Sequence, residues 1–538
     1  MKKTKKLIAI VLCIVLCAGL IPAAAFAKNE PAVCNLVTVG DSTANGYYLN
    51  DYGSKSDATW GWGDGSDNYG VYDQSSKKSF SFLLRDYLKE KLGSDYSVKL
   101  TNLTFEGLRT DELRATLDPS FLEKAEARGD YFCTSHMESY NYWYWDNYED
   151  IFSRGFTEFN AYDPSFSESS KPLFTAVFED ALSKADIIVL DNVMNNFGTY
   201  FSSRLMGILG MEDASLYSEP VSSLADELDI NVAEVETMMT SLVKQFMPGD
   251  TSELISQVID LFVYCYCDFR INFAKNIELI RALNSDAQLI VLGPYNALNG
   301  LKVSIDGTVV DLGALWSAYM GLVSIYITTI CPMRSEYSFA DCSVYVESFA
   351  DDLRKTESIN KIYPRYKELI LSDLMTEDVG VSEDEVLEAV LAAAKLESLD
   401  AVGAMALLDE GYDVETAAKK AAYDWENASD AEKAMLYVYC TMFSAHGMGS
   451  HPSESGCAGK FKAIKAAVEN NEPEGTDGIK SMIGTAAGVF GALLQVFNVP
   501  IIESISDVLN SIGNAFFDFL DMIGQSIEAL VMSFIPSR

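Results

Sequence analysis

The chain has 538 residues, with 78 Asp and Glu against 40 Lys and Arg, for a formal net charge of −38. So acidic a surface repels phosphate backbones and anionic lipid headgroups, which argues against nucleic acid as a partner. With 49% hydrophobic and 12% aromatic residues there is ample material for a large core, and the length exceeds one ordinary domain.

Residues 1–27 read as an export signal. Lys2, Lys3, Lys5 and Lys6 form a charged start, Leu7 to Pro22 is apolar, and Ala25-Phe26-Ala27 is a small-x-small cleavage site. The apolar run is shorter than the roughly 20 residues that span a bilayer, so cleavage before Lys28 is expected rather than anchoring. Leu16 precedes Cys17, which is not the setting of a lipid-modified cysteine. Loss of this leader removes four lysines and no acid, taking the charge from −38 to −42. The expected destination is secreted or cell-envelope. Eight cysteines then remain: Cys34, Cys133, Cys265, Cys267, Cys331, Cys342, Cys440 and Cys457. An even count in an exported chain permits disulfides, in any of 105 pairings. Cys265 and Cys267 are too close to bridge easily and lack a second ligand pair for a metal, so no metal and no cofactor is expected.

Five segments read as buried parallel strands: Asn35 to Val39, Val98 to Phe105, Asp186 to Leu190, Gln288 to Leu292 and, more weakly, Ser343 to Val346. Short apolar, β-branched runs separated by helical stretches predict an α/β sheet covered on both faces. A helix over Phe80 to Leu92 links the first two strands, and one near Ala274 to Leu283 leads into the fourth. Between strands three and four, near 201–275, and again near 350–435, the pattern is helical. Ser382 with Glu385 and Ser429 with Glu432 have capping-box spacing, and Asn231 with Glu234 resembles it. These stretches read as insertions in one domain, residues 28–470, forming a lid or cap. The alternative is a separate helical domain.

Asp51 to Ser76 reads as a surface loop. Its Asp64-Gly-Ser-Asp-Asn68 lacks the Gly and Glu of a calcium-binding EF-hand loop. The run Tyr140 to Trp145 fits packing or the rim of a cleft. The tail, 471–538, reads as an apolar helical segment, with no charged residue from Ser481 to Ile502. It could pack on the domain, on a partner or on a membrane surface, with a membrane span as the weaker alternative.

Candidate chemistry begins where the first strand ends. Val37-Thr-Val-Gly40-Asp41-Ser42-Thr43 places a serine just past a strand's carboxyl end, where α/β folds put their active sites. The second strand ends at Phe105-Glu106-Gly107, and Gly107 can bring its backbone N–H close to a substrate. After the third comes Asp191-Asn192-Val-Met-Asn195-Asn196, where Asn195 can donate its side-chain N–H. Near the end stands Gly449-Ser-His451-Pro452-Ser-Glu-Ser-Gly456. The only other histidines are His136, in an aromatic stretch, and His446, which lacks the following Pro and Gly.

Ser, Gly, Asn and His in this chain order resemble the four blocks of the SGNH (GDSL-type) hydrolase family, and Leu292-Gly-Pro-Tyr-Asn296 is also similar to it. The resemblance covers residues 35 to 470 in patches. It implies a flavodoxin-like three-layer α/β/α fold with strand order 2-1-3-4-5, and carboxylic-ester hydrolysis. Ser42 would be the nucleophile and His451 its base. The N–H groups of Ser42 and Gly107 and the Asn195 side chain would form the oxyanion hole. Two departures stand out. The third block reads Val193-Met-Asn195-Asn196 where the family has Gly-x-Asn-Asp, which leaves Asn192 and Asn196 as outside candidates. Three residues before His451, where the family carries Asp, stands Met448. The substrate expected is a small-molecule, lipid-type or general acyl ester, with a carbohydrate O-acetyl ester as the alternative. A non-catalytic exported scaffold or adhesion protein on a degenerate hydrolase fold is the reading from another class. The sequence does not specify the oligomeric state.

Overall fold

The computed structural model of the chain describes residues 31–52, 75–104, 108–118, 120–121, 178–197, 232–246, 253–305, 308–343, 346–375, 380–443 and 448–469. Residues 1–27, read above as an export signal, together with Gly107, His136, His446, Cys133, the run 140–145, Asn231 and the tail 471–538, lie outside these residues, as does most of the loop 51–76.

The described strands are β1 (Ala32–Gly40), β2 (Tyr96–Thr104), β3 (Ile187–Asp191), β4 (Gln288–Leu292), β5 (Lys302–Ile305), β6 (Thr308–Asp311), β7 (Ser338–Ala340) and β8 (Leu399–Asp400). The described helices are α1 (Ser42–Asn45), α2 (Phe80–Leu92), α3 (Thr110–Leu117), α4 (Val232–Phe246), α5 (Glu253–Leu283), α6 (Leu312–Ile325), α7 (Phe349–Lys355), α8 (Pro364–Leu374), α9 (Glu383–Ala394), α10 (Ala401–Asp409), α11 (Val414–Tyr423), α12 (Asp430–Val438) and α13 (Glu454–Val468).

The central sheet has the order β2-β1-β3-β4-β7, with every neighbouring pair parallel. In the sheet's own count this is 2-1-3-4-5, the order that the resemblance implies. Alternation along each strand sends side chains to opposite faces. Val37, Val39, Ile188, Leu190, Leu289 and Val291 pack with α5 and α6 through Phe269, Phe273, Ile277, Tyr319 and Val323. Leu36, Val98, Leu100, Val189, Ile290 and Leu292 face α2 and α13 through Phe80, Leu84, Leu88, Ala463 and Ile464. Helices therefore cover both faces, and strands buried on both sides read as continuous apolar runs.

The fifth described strand is Ser338–Ala340, ahead of the expected Ser343 to Val346, of which residues 344–345 lie outside the described residues. Ile290 is in register with Ser338 and Leu292 with Ala340. Just beyond, Asp341 accepts hydrogen bonds from the Ser343 amide at 2.9 Å and hydroxyl at 2.6 Å. Ser343 is thus held in a local turn beyond the end of the ladder at Ala340.

A third core joins α7 to α12, through residues such as Phe349, Tyr366, Val386, Val390, Ala418 and Leu436. Beside it, β5 pairs antiparallel with β6 and parallel with the two-residue β8. Capping boxes start α9 at Ser382 and Glu385 and α12 at Ser429 and Glu432, and a further one starts α7 at Ser348 and Asp351. Tyr48 and Leu49, from the segment after β1, belong to this same core. The stretch Leu312–Ile330 is long and apolar enough to cross a membrane, but 67% of it is buried against the rest of the chain. The seven described cysteines are buried, and none is joined to another described cysteine.

Candidate active site

Register brings the chemistry together. Gly40 lies opposite Thr104 on one side and Asp191 on the other, so β1, β2 and β3 end level. The segments leaving these strands start from one edge of the sheet. Asp41 caps α1, accepting the Thr43 amide at 2.8 Å, and Ser42 opens the helix. The first N–H groups of a helix have no carbonyl behind them, so that of Ser42 has no intrahelical acceptor. Gly46 closes the helix at φ 69°, a conformation that a side chain would strain. Asn45 is tied to β2, its side-chain oxygen accepting from Asn102 at 3.2 Å and from the Thr104 hydroxyl.

His451 Nε2 lies 2.9 Å from Ser42 Oγ. The loop that carries His451 is held by its main chain: Phe349 donates to the His451 carbonyl at 3.0 Å and Ser453 to the Glu347 carbonyl at 2.9 Å. Ser348 and Pro452 form an isolated antiparallel bridge. The Tyr295 hydroxyl, in the loop after β4, donates to the Ser450 carbonyl at 2.8 Å. Ser453 then caps α13, whose third residue is Gly456. A Cβ on Gly456 would stand 2.1 Å from the Glu347 carbonyl oxygen. The glycine of the His-Pro-x-x-x-Gly pattern is there because another backbone passes over it.

The imidazole also meets two rings. Tyr48 stands edge-on to it, with centroids 4.9 Å apart at 89°, and Tyr47 is tilted at 5.8 Å. Tyr48 has φ 69°, the one described non-glycine residue in the left-handed region. Such a backbone costs on the order of 1–3 kcal/mol and persists only where the surroundings impose it. Here the ring is 3% exposed and also packs edge-on against Phe349 at 6.5 Å. Met448 stands in the short turn before His451, where the resemblance would place a carboxylate.

Asn195 reaches the site as well. Its Nδ2 donates to Asp41 Oδ2 at 2.7 Å and to the Leu108 carbonyl at 3.3 Å. Asn196 is turned elsewhere, donating to Asp268 and accepting from the Thr110 amide. Asn192 is fully buried, and its carboxamide makes no hydrogen bond among the described residues. Of the three asparagines, Asn195 is the one bonded to a neighbour of Ser42.

Two residues of this site escape motif reading. Asp191, at the end of β3, accepts from the Thr43 hydroxyl at 2.7 Å. Lys460, in α13, donates to both Asp191 Oδ2 and Thr43 Oγ1 at 2.8 Å and is wholly buried. Burial works against its charge, but Asp191, Cys342 and Asp41 outweigh that and raise its pKa. Burial and then Asp191 push the Asp41 carboxyl up to about 7, against the pull of Lys460 and the Thr43 hydrogen bonds. A signal for Lys460 did exist: it shares the buried stripe of α13 with Gly456, Cys457, Ala463, Ile464 and Ala467.

Among the described residues, no group of three His, Cys, Asp or Glu side chains is arranged to hold a metal ion. No family model matches the chain, and no curated protein matches it.

Proposed function

We propose that the chain is an exported serine hydrolase of carboxylic esters, with Ser42 as nucleophile and His451 as general base. The observation that carries this reading is the 2.9 Å contact between Ser42 Oγ and His451 Nε2 at the carboxyl edge of the sheet. A nucleophile within hydrogen-bond reach of its base, on a sharp strand-to-helix turn, is the geometry acyl transfer requires.

His451 takes the Ser42 proton as the oxygen attacks the ester carbonyl. The tetrahedral oxyanion is received by N–H donors, for which the Ser42 amide, the Gly107 amide and the Asn195 side chain are the candidates. Asn195 would keep its 2.7 Å bond to Asp41 and exchange the longer one to Leu108 for the oxyanion. His451 then protonates the leaving alcohol, and water cleaves the acyl-enzyme by the same route in reverse. The expected ester is of the lipid or general acyl type. A carbohydrate O-acetyl ester is the alternative substrate.

A non-catalytic scaffold is the rival, favoured by Met448 in place of an acid. The test is hydrolysis of p-nitrophenyl esters of several chain lengths and of acetylated sugars, with labelling of Ser42 by a fluorophosphonate. The proposal expects turnover and labelling, both abolished in Ser42→Ala. Turnover that survives Ser42→Ala would refute the assignment, and a wild type that neither turns over nor labels would favour the scaffold.

A further inference from the structure

The residues on both sides of Ser42 are bound into one buried charged cluster. Asp41 accepts from Asn195 at 2.7 Å, and Thr43 donates to Asp191 at 2.7 Å while accepting from Lys460 at 2.8 Å. Lys460 closes the triangle on Asp191 at 2.8 Å. Exposures of 1% for Asp41, 6% for Thr43, 2% for Asp191 and 0% for Lys460 put the whole group out of reach of solvent. The ammonium also lies between two rings, 5.4 Å from that of Phe80 and 5.1 Å from that of Tyr295. Tyr295 in turn donates to the carbonyl of Ser450, next to the base.

Stability does not explain such a group. A buried ion pair can usually be replaced by well-packed apolar side chains at no loss, because desolvating the charges offsets their attraction. What it does supply is direction: three hydrogen bonds of fixed geometry meet at Thr43 and Asp191, on the turn that presents Ser42.

Building on the hydrolase reading, we propose that Lys460 is a positioning residue. Through Thr43 and Asp191 its ammonium group fixes the turn that carries Ser42, and Asp41 on the same turn holds Asn195 where the oxyanion forms. Lys460 touches neither substrate nor reacting atoms; it acts through Thr43, which follows the nucleophile, and through Asp191.

The experiment uses the full chain and a p-nitrophenyl ester that the wild type hydrolyses, with Lys460→Met, Thr43→Val and the double variant. Thr43→Val keeps the shape and the Lys460–Asp191 pair and removes only the joint to the turn. The expected result is a tenfold to hundredfold fall in kcat with KM within about twofold in each single variant, while Thr43→Val still melts in one cooperative transition, at a lower midpoint because Asp191 and Lys460 each lose a buried partner. The double variant should be no worse than the weaker single, since both changes cut one link. Wild-type kcat in Thr43→Val, or losses that multiply in the double, would overturn the proposal. Should Lys460→Met fail to fold, Thr43→Val alone decides. Absence of turnover and of fluorophosphonate labelling in the wild type would instead remove the hydrolase reading, and this inference with it.

Discussion

Gly456→Ala would push one backbone off another and move the proposed base without touching it. The added methyl would stand 2.1 Å from the Glu347 carbonyl oxygen. A carbon–oxygen contact is rarely shorter than about 3.3 Å, so about 1 Å must open. The Glu347 carbonyl accepts from the Ser453 amide at 2.9 Å and hydroxyl at 3.2 Å, and both bonds weaken as the gap opens. At about 1 kcal/mol each, with about 1–3 kcal/mol for overpacking, the loss is about 3–5 kcal/mol. Alanine's better helix propensity returns up to about 1 kcal/mol, leaving about 2–4 kcal/mol. The bridge from Ser348 to Pro452 shifts with it, and so does His451, whose carbonyl is held by Phe349. A misplacement of about 1 Å can cost about 10²-fold in rate. Denaturant melts read the first figure, and ester turnover with fluorophosphonate labelling reads the second. Gly321→Ala is the control, since a Cβ there meets nothing within 4 Å inside α6 and should leave stability equal or higher. Gly456→Ala with stability within about 0.5 kcal/mol and turnover within twofold would refute the reasoning, because the loop would not then be set by that close approach.

Asn195→Ala should lower kcat about 10²–10³-fold with little change in KM if its amide serves the oxyanion, as steady-state kinetics would register; Asn196→Ala should destabilise the fold instead, since its bonds run to Asp268 and Thr110. The pH dependence of unfolding should carry the mark of Asp41. Its folded pKa of about 7 lies above the ordinary carboxyl value of 3.8, so the folded chain holds a proton that the unfolded chain releases. That contribution is complete below about 4 and is lost as pH rises to about 7, at a slope approaching about 1.4 kcal/mol per pH unit. Denaturant midpoints taken from pH 4 to 8 should fall more steeply for the wild type than for Asp41→Asn, and parallel curves would contradict it.

Much of this architecture is legible in the sequence, and the gaps have physical causes. The first four strands are visible because burial on both faces demands unbroken apolar runs, and Phe80–Leu92 is visible by its period. The fifth is displaced because Val-Tyr-Val outweighs Ser-Phe-Ala in β-propensity, while Ser343 is held in a local turn by its bond to the Asp341 side chain. Ser42 and His451 are legible because each sits in a local pattern whose geometry is local. Lys460 is not, because its meaning depends on Thr43 and Asp191, 417 and 269 residues away. Tyr48 is hidden for another reason: nothing in Gly-Tyr-Tyr-Leu announces a left-handed backbone at a tyrosine.

The lack of an acid at 448 changes what the rest of the site must do. In a three-residue arrangement a carboxylate both aims the imidazole and stabilises its charged form. Aiming needs only contacts, and His451 has them: the Phe349 amide on its carbonyl, Tyr295 on the carbonyl before it, and the Tyr48 ring edge-on to its own. The first two come from separate elements, α7 and the loop after β4, and the third comes from the segment that carries Ser42. The proposed nucleophile and base are thereby referenced to one short piece of backbone, from Ser42 to Tyr48. From this left-handed backbone the Tyr48 ring meets both the imidazole and Phe349 edge-on.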